Sequence, residues 1–199
     1  ITSEGSKVYF VKTDHLPILD ITVSFKAGSA RDNSSNNGVS SLTNHLMLMG
    51  SNGINEVDLA NKFSDIGAQL GSGFDRDKSS FSLRTLKENQ EKAIELFKLV
   101  LHKPNFNKAI MDREKKKYLA SIRQGETEPA TIGSKAFMKT LYGNHPYGLP
   151  MSGTVDSIQK ITSSQLKEFY DNFYLSNQAA IVIVLSLIHI SEPTRPSSI

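Results

Sequence analysis

Along "KVYFVKTDHLPILDITVSFKAGSARD", Val8 and Phe10, then Leu19, Ile21, Val23 and Phe25, place apolar side chains at every second position. That period marks a half-buried sheet, so the segment predicts two strands joined by a turn at Asp14 to Pro17. "DNSSNNG" follows, rich in residues whose side chains turn the chain and cap open backbone N–H groups. The period then changes to steps of three and four. Val39, Leu42, Leu46 and Met49 predict a helix from about Gly38 to Met49, halted by "SNG". "NEVDLANKFSDIG" predicts a second helix with Val57, Ala60, Phe63 and Ile66 on its buried face and Gly67 at its end.

"AQLGSGFDRDKSSFSLRTL" returns to strand spacing and predicts a hairpin turning at Asp75–Lys78. "KENQEKAIELFKLVLHKP" is a helix stopped by Pro104. "NKAIMDREKKKYLASIRQ" is another, with Met111, Lys115, Tyr118 and Ile122 on one side. A shorter helix covers "PATIGSKAFMKTLY", and one capped by Thr162 or Ser163 covers "TSSQLKEFYDNFY". "QAAIVIVL" closes the pattern as a buried strand. Strand pairs interrupted by runs of helices predict an α+β domain, with a largely antiparallel sheet packed against several helices.

This logic holds over residues 1–185. The last stretch, "SLIHISEPTRPSSI", has two prolines and reads as a non-native, cloning-derived tail over 186–199, so His189 is set aside with it. The start at Ile1, without a methionine, suggests an excised or processed piece.

Composition narrows the function. A chain of 199 residues with 38% hydrophobic content can bury one sizeable core. Lys+Arg 23 against Asp+Glu 20 leaves +3, too little excess for a dedicated nucleic-acid binder. With Cys 0 there are no disulfides, thiolate metal sites or cysteine nucleophiles. No apolar run is long enough to span a bilayer. No Gly-rich phosphate loop joins a strand to a helix, so no nucleotide is implied.

The chemistry to be weighed lies in "SSLTNHLMLMG". Residues four apart share a helix face, so a zinc-binding helix can present two histidines at that spacing with a carboxylate as general base. Here the positions hold Ser41, Asn44 and His45. A serine hydroxyl is a poor zinc ligand, an amide cannot take a proton from water, and one imidazole does not hold zinc alone. On the residues alone, His45 is a satisfied, partly buried histidine. "MLM" is core or interface packing. "REKKK" (Arg113 to Lys117) reads as a solvated charged face, "DRD" (Asp75 to Asp77) as a surface turn, and His145 of "NHPYG" as a histidine bonded to backbone.

The order of "LPILDITVSFKAGSARD", "GVSSLTNHLMLMG", "LANKFSDIGAQLGSGFDRDKSSFSLRTL", "REKKKYLASIRQ", "NHPYGLPMSGTVDSIQKIT" and "LKEFYDNFYLSNQAAIVIV" resembles the pitrilysin/insulinase-type zinc peptidases. That family includes the mitochondrial processing peptidase and shares its half-domain fold with LuxS-like metalloenzymes. The resemblance runs from Ile1 to about Leu185. It implies one N-terminal half-domain of a protein whose two homologous halves enclose a peptide chamber.

Active members carry H-x-x-E-H on the first long helix and a glutamate ligand on a later one. The resemblance puts the first histidine on Ser41, the catalytic glutamate on Asn44, the second histidine on His45 and the late carboxylates on Ala120 and Ser121. Glu114, at the other end of the late segment, is retained. This implies a chain without catalytic residues or bound zinc, similar to the bacterial "inactive domain" type. Such chains pair with a catalytic homologue, or with a second half-domain, around an unstructured peptide, and the nearest-looking ones are periplasmic. Two rivals stand beside this expectation. One is an active zinc peptidase with substitute ligands, His45 with His15 or His145. The other is a structural scaffold subunit with no proteolytic role.

Overall fold

The computed structural model describes residues 2–3, 5–13 and 16–186. His15 and His189, most of the 186–199 tail and half of the Asp14–Pro17 turn therefore lie outside the described residues. Among those described, the elements run β1 (Lys7–Thr13), β2 (Ile18–Phe25), α1 (Val39–Leu46), β3 (Gly50–Ser51), β4 (Ile54–Asn55), α2 (Glu56–Asp65), β5 (Gln69–Phe74) and β6 (Ser79–Leu86). There follow α3 (Gln90–His102), α4 (Lys108–Gly125), α5 (Pro129–Tyr142), α6 (Val155–Lys160), α7 (Ser163–Phe173) and β7 (Ala180–Ser186).

The fold is α+β, as the pattern predicts. A five-stranded sheet runs β1-β7-β2-β6-β5, antiparallel throughout except for the parallel β1–β7 pair. β1 and β2 both form, but they are not neighbours. β7 enters between them, pairing Phe10 with Ile183 on one side and Ile21 with Ile183 on the other. Strand spacing locates a strand but says nothing of which strand will lie beside it.

The sheet is covered on one face. Leu19, Ile21, Val23 and Phe25 of β2 join Phe81 and Leu83 of β6 beneath Leu42, Leu46, Phe97, Leu166 and Phe169 of the helices. Their alternation with half-buried or exposed residues is the two-sided pattern of a sheet packed on one side.

Two helices differ from expectation. In α2 the buried residues are Leu59 and Phe63, whereas Val57 is 64% exposed and Ala60 also faces solvent. Phe63 belongs to both candidate stripes, and the leucine decides which way the helix turns. α1 ends at Leu46, earlier than Met49, because Leu48 and Met49 donate their N–H groups to the carbonyls of His45 and Leu46, tightening the last turn. "SNG" then does more than stop the helix. Asn52 (φ 49°) and Gly53 (φ 82°) form the two-residue turn of a small hairpin, β3–β4, that the periodicity misses.

The start of α1 depends on close backbone approach. Gly38 has φ 93°, and a Cβ there would lie 2.6 Å from Ile158 Cδ1 and 2.9 Å from the Gly153 Cα. The first helix is thereby pressed against the 148–153 segment and α6.

Candidate functional site

α1 is held at its N-terminus by Asp32. Its Oδ2 accepts from the Gly38 N–H at 2.8 Å and the Ser40 hydroxyl at 2.9 Å, and its Oδ1 from the Ser40 N–H at 3.2 Å. The two N–H groups are amides that a helix start leaves open. Burial pushes the Asp32 carboxyl up to about 6, and the three donors pull against that rise.

Farther along α1, every polar side chain of interest is already engaged. Asn44 Nδ2 donates to Ser79 Oγ at 2.7 Å and to the Gly73 carbonyl at 3.4 Å. The Ser41 hydroxyl is hydrogen-bonded to the Tyr118 hydroxyl of α4. Burial raises the Tyr118 pKa, partly offset by hydrogen bonds with Ser41 and Ser152, so at neutral pH this group is a phenol and not an anion.

His45 Nε2 donates to Glu114 Oε2 at 3.0 Å. Glu114 is only 3% exposed. Its other oxygen, Oε1, accepts from Arg113 Nε at 2.6 Å and Lys117 Nζ at 2.9 Å. Arg113 in turn pairs with Glu56 of α2. Burial alone would raise the Glu114 pKa, but the three donors outweigh it and hold the carboxyl down at about 2. "REKKK" is therefore more than a solvated face. Its Arg113 ties α4 to α2 and its Glu114 ties it to α1, Lys117 bonding that same glutamate within α4. The Lys115 amine reaches the carbonyls of Gln159 and Ile161 at the end of α6.

These residues do not fit a zinc ion. Ser41 is neutral and bonded to a phenol, Asn44 offers its amide protons to the sheet, and the Nε2 of His45 is committed to Glu114. That glutamate is flanked by two cations, which would repel a divalent ion placed there. Among the described residues no group of three histidine, cysteine, aspartate or glutamate side chains is placed to share a metal.

Ala120 and Ser121 lie beyond this contact on α4, both exposed. No hydrogen bond joins Ser121 to Ser41, Asn44 or His45. Ser121 instead lines a cavity of about 310 Å³ with Gln124, Glu128 and Ser152. His145 accepts from the Tyr147 N–H at its Nδ1, 3.2 Å away, and packs edge-on to that ring, as a histidine bonded to backbone does. Asp75–Lys78 is a surface turn, with Asp75 Oδ1 accepting from the N–H groups of Asp77 and Lys78.

Sequence reasoning missed Tyr118 as the partner of Ser41, and Asp32 and Ser79 as anchors of α1. Tyr118 carried a signal, since it falls on the helix face shared with Met111 and Ile122. Asp32 and Ser79 carried none that local spacing could reveal.

The "Insulinase (Peptidase family M16)" profile matches residues 8–155 of the chain. Among solved structures, the chain is similar to the peptidase M16 inactive domain from Pseudomonas fluorescens, with 36% identity and a TM-score of 0.90, over 94% of this chain and 45% of that one. A fold match at 17% identity and TM-score 0.82, covering 94% of this chain and 22% of that one, is the periplasmic protease PqqL from Escherichia coli. Among curated relatives, the "Non-peptidase homolog YmxG" of Helicobacter pylori is 24% identical, over 88% of this chain and 41% of the relative. The chain thus spans less than half the length of the relatives it matches. With three-quarters of its length under one profile, and an α+β fold superposing on solved members, the chain belongs to the insulinase family, peptidase family M16.

Proposed function

We propose that this chain is a non-catalytic M16 domain that forms one wall of a peptide-enclosing chamber, completed by a catalytic homologue or a second half-domain. Residues 1–185 are the N-terminal half, and 186–199 a non-native tail. The observation that carries the reading is the closed network of His45, Glu114, Arg113 and Lys117 beside Ser41 and Asn44. Where active relatives use H-x-x-E-H, this helix has S-x-x-N-H, so an amide stands where the general base would be, and its imidazole is engaged by the hydrogen bond to Glu114. The names of the Pseudomonas fluorescens inactive domain and the Helicobacter pylori non-peptidase homologue support the same reading.

The ligand is an unstructured peptide. The compartment is the periplasm, by analogy with Escherichia coli PqqL. No helix among the described residues is long and apolar enough to cross a membrane. Metal analysis of the dialysed chain tests the proposal. The expected result is no stoichiometric zinc and no cleavage of unfolded peptides, with zinc-bearing H-x-x-E-H chains co-purifying from the native host. One tightly held zinc per chain, lost on His45→Ala, would overturn it.

A further inference from the structure

Residues 146–153 fold back along α5 and leave a cavity of about 390 Å³ between the two. Its wall contains two cations, Arg76 from the β5–β6 turn and Lys135 from α5, and no aspartate or glutamate. Neither cation enters an ion pair among the described residues. Arg76 donates one N–H to the Leu149 carbonyl at 3.3 Å and lies 5.7 Å over the Tyr147 ring, leaving the rest of its fork open. Asp75 and Asp77 flank Arg76 on the outer side of the turn. The two charged side chains of the cavity wall itself are both cations, and a guanidinium suits the two oxygens of a carboxylate. The hydroxyls of Thr131, Ser134 and Ser152 add donors, and Met138, Leu149 and Met151 give the wall an adaptable apolar part.

The cavity adjoins the one lined by Ser121, since Thr131, Lys135 and Ser152 line both. Glu128 enters only in that second cavity, so the seat for an anion is confined to the first. A chain leading away from a bound carboxylate has a path through the second.

We propose that the α5 cavity takes the free C-terminal carboxylate of a peptide whose last side chain is an aliphatic group the size of leucine. The carboxylate lies against Lys135 and Arg76, the leucine side chain against Met138, Leu149 and Met151, and the preceding residues pass Ser152 towards Ser121. This goes beyond the chamber-wall reading, because it needs neither partner nor metal.

Fluorescence anisotropy of the 199-residue chain with N-terminally dye-labelled Ser-Gly-Ala-Leu, as free acid and as C-terminal amide, tests it. Binding of the acid should saturate, and amidation should weaken it by about tenfold or more, as losing a charge-assisted contact does. Lys135→Met keeps the aliphatic stem and breaks no hydrogen bond or ion pair among the described residues. It should leave the melting temperature unchanged and bring the acid down to the level of the amide. Ending the peptide in aspartate should also weaken it. Equal binding of acid and amide, no binding of either at millimolar concentration, full affinity in Lys135→Met, or displacement by inorganic phosphate as readily as by unlabelled acetyl-leucine would each overturn the assignment. The zinc content of the chain does not enter these readings, so this proposal and the non-catalytic one fail separately.

Discussion

Helix α1 and strand β1 invert the usual placement of polar and apolar residues. α1 buries Ser40, Ser41, Thr43 and Asn44, whereas β1 exposes Val8, Tyr9, Phe10 and Val11. The difference comes from position in the layers. α1 lies against the sheet and α7, and each polar group it carries inside has found a partner: Ser40 with Asp32, Thr43 with the Val39 carbonyl, Asn44 with Ser79 and Ser41 with Tyr118. A buried hydroxyl or amide is tolerated once it is bonded. β1 is the sheet's last strand, one step beyond β7. Ile181 and Ile183 of β7 pack against the core, but the residues paired with them, Val8 and Phe10, lie past the helical cover. Residue type therefore says less about burial here than the place of the element does.

The sharpest test of the contrast sets a core residue of α1 against the surface. Leu42 is fully buried at 0% exposure, so Leu42→Ala should lose roughly 2–5 kcal/mol of stability, the transfer and cavity cost of such a truncation. Urea denaturation measures it. A loss below about 1 kcal/mol would mean that α1 is less tightly packed than its contacts indicate.

Next in size is the hydrogen bond from His45 to the Glu114 carboxylate that joins α1 to α4. Glu114→Gln keeps the shape but removes the charge that His45, Arg113 and Lys117 address, and should cost on the order of 1–3 kcal/mol at neutral pH. The pH dependence gives an independent reading. The folded carboxyl titrates at about 2, below its ordinary 4.5, so between these values the unfolded chain binds more protons. Stability from Glu114 is thus fully present above about 4.5 and is lost as the pH falls towards 2. Thermal melts at pH 5 and pH 3 should show a smaller acid loss in Glu114→Gln than in the parent, by the share that this carboxyl contributes. Equal slopes in the two proteins would remove Glu114 from the account of what holds the helices together.

Much of the frame was legible in the sequence because it follows from local period. The alternation in β2 and the β5–β6 hairpin, the helical stripes of α1 and α4, and the Thr162 cap of α7, with its reciprocal bonds to Gln165, all lie within a few residues of their own signals. The identity of His45 as a lone imidazole was legible too. Its partner was not, since Glu114 comes from a helix 69 residues away and the register between α1 and α4 is a tertiary property. The same reason hid the insertion of β7 between β1 and β2. α2 failed differently: Val57 and Leu59 define two stripes through Phe63, and spacing alone cannot choose between them. The Asn52–Gly53 hairpin was a missed signal, not an absent one.

The smallest expected effect falls on β1 and bears most directly on the contrast. Phe10 is 58% exposed although it points to the side of the sheet that the helices cover, so Phe10→Ser removes little that folding has buried. Its cost should stay within about 0.5 kcal/mol, the range of ordinary surface changes. An apolar edge strand is also a template for pairing with another chain, and the outer edge of β1, which has no partner strand among the described residues, is bordered by Lys7 and Lys12, charges that discourage such pairing. The variant should therefore gain solubility while its unfolding midpoint stays put, which sedimentation and urea melts can read side by side. A loss of about 2 kcal/mol instead would be the signature of a buried aromatic, showing that β1 is covered in solution and that only α1 departs from the usual placement.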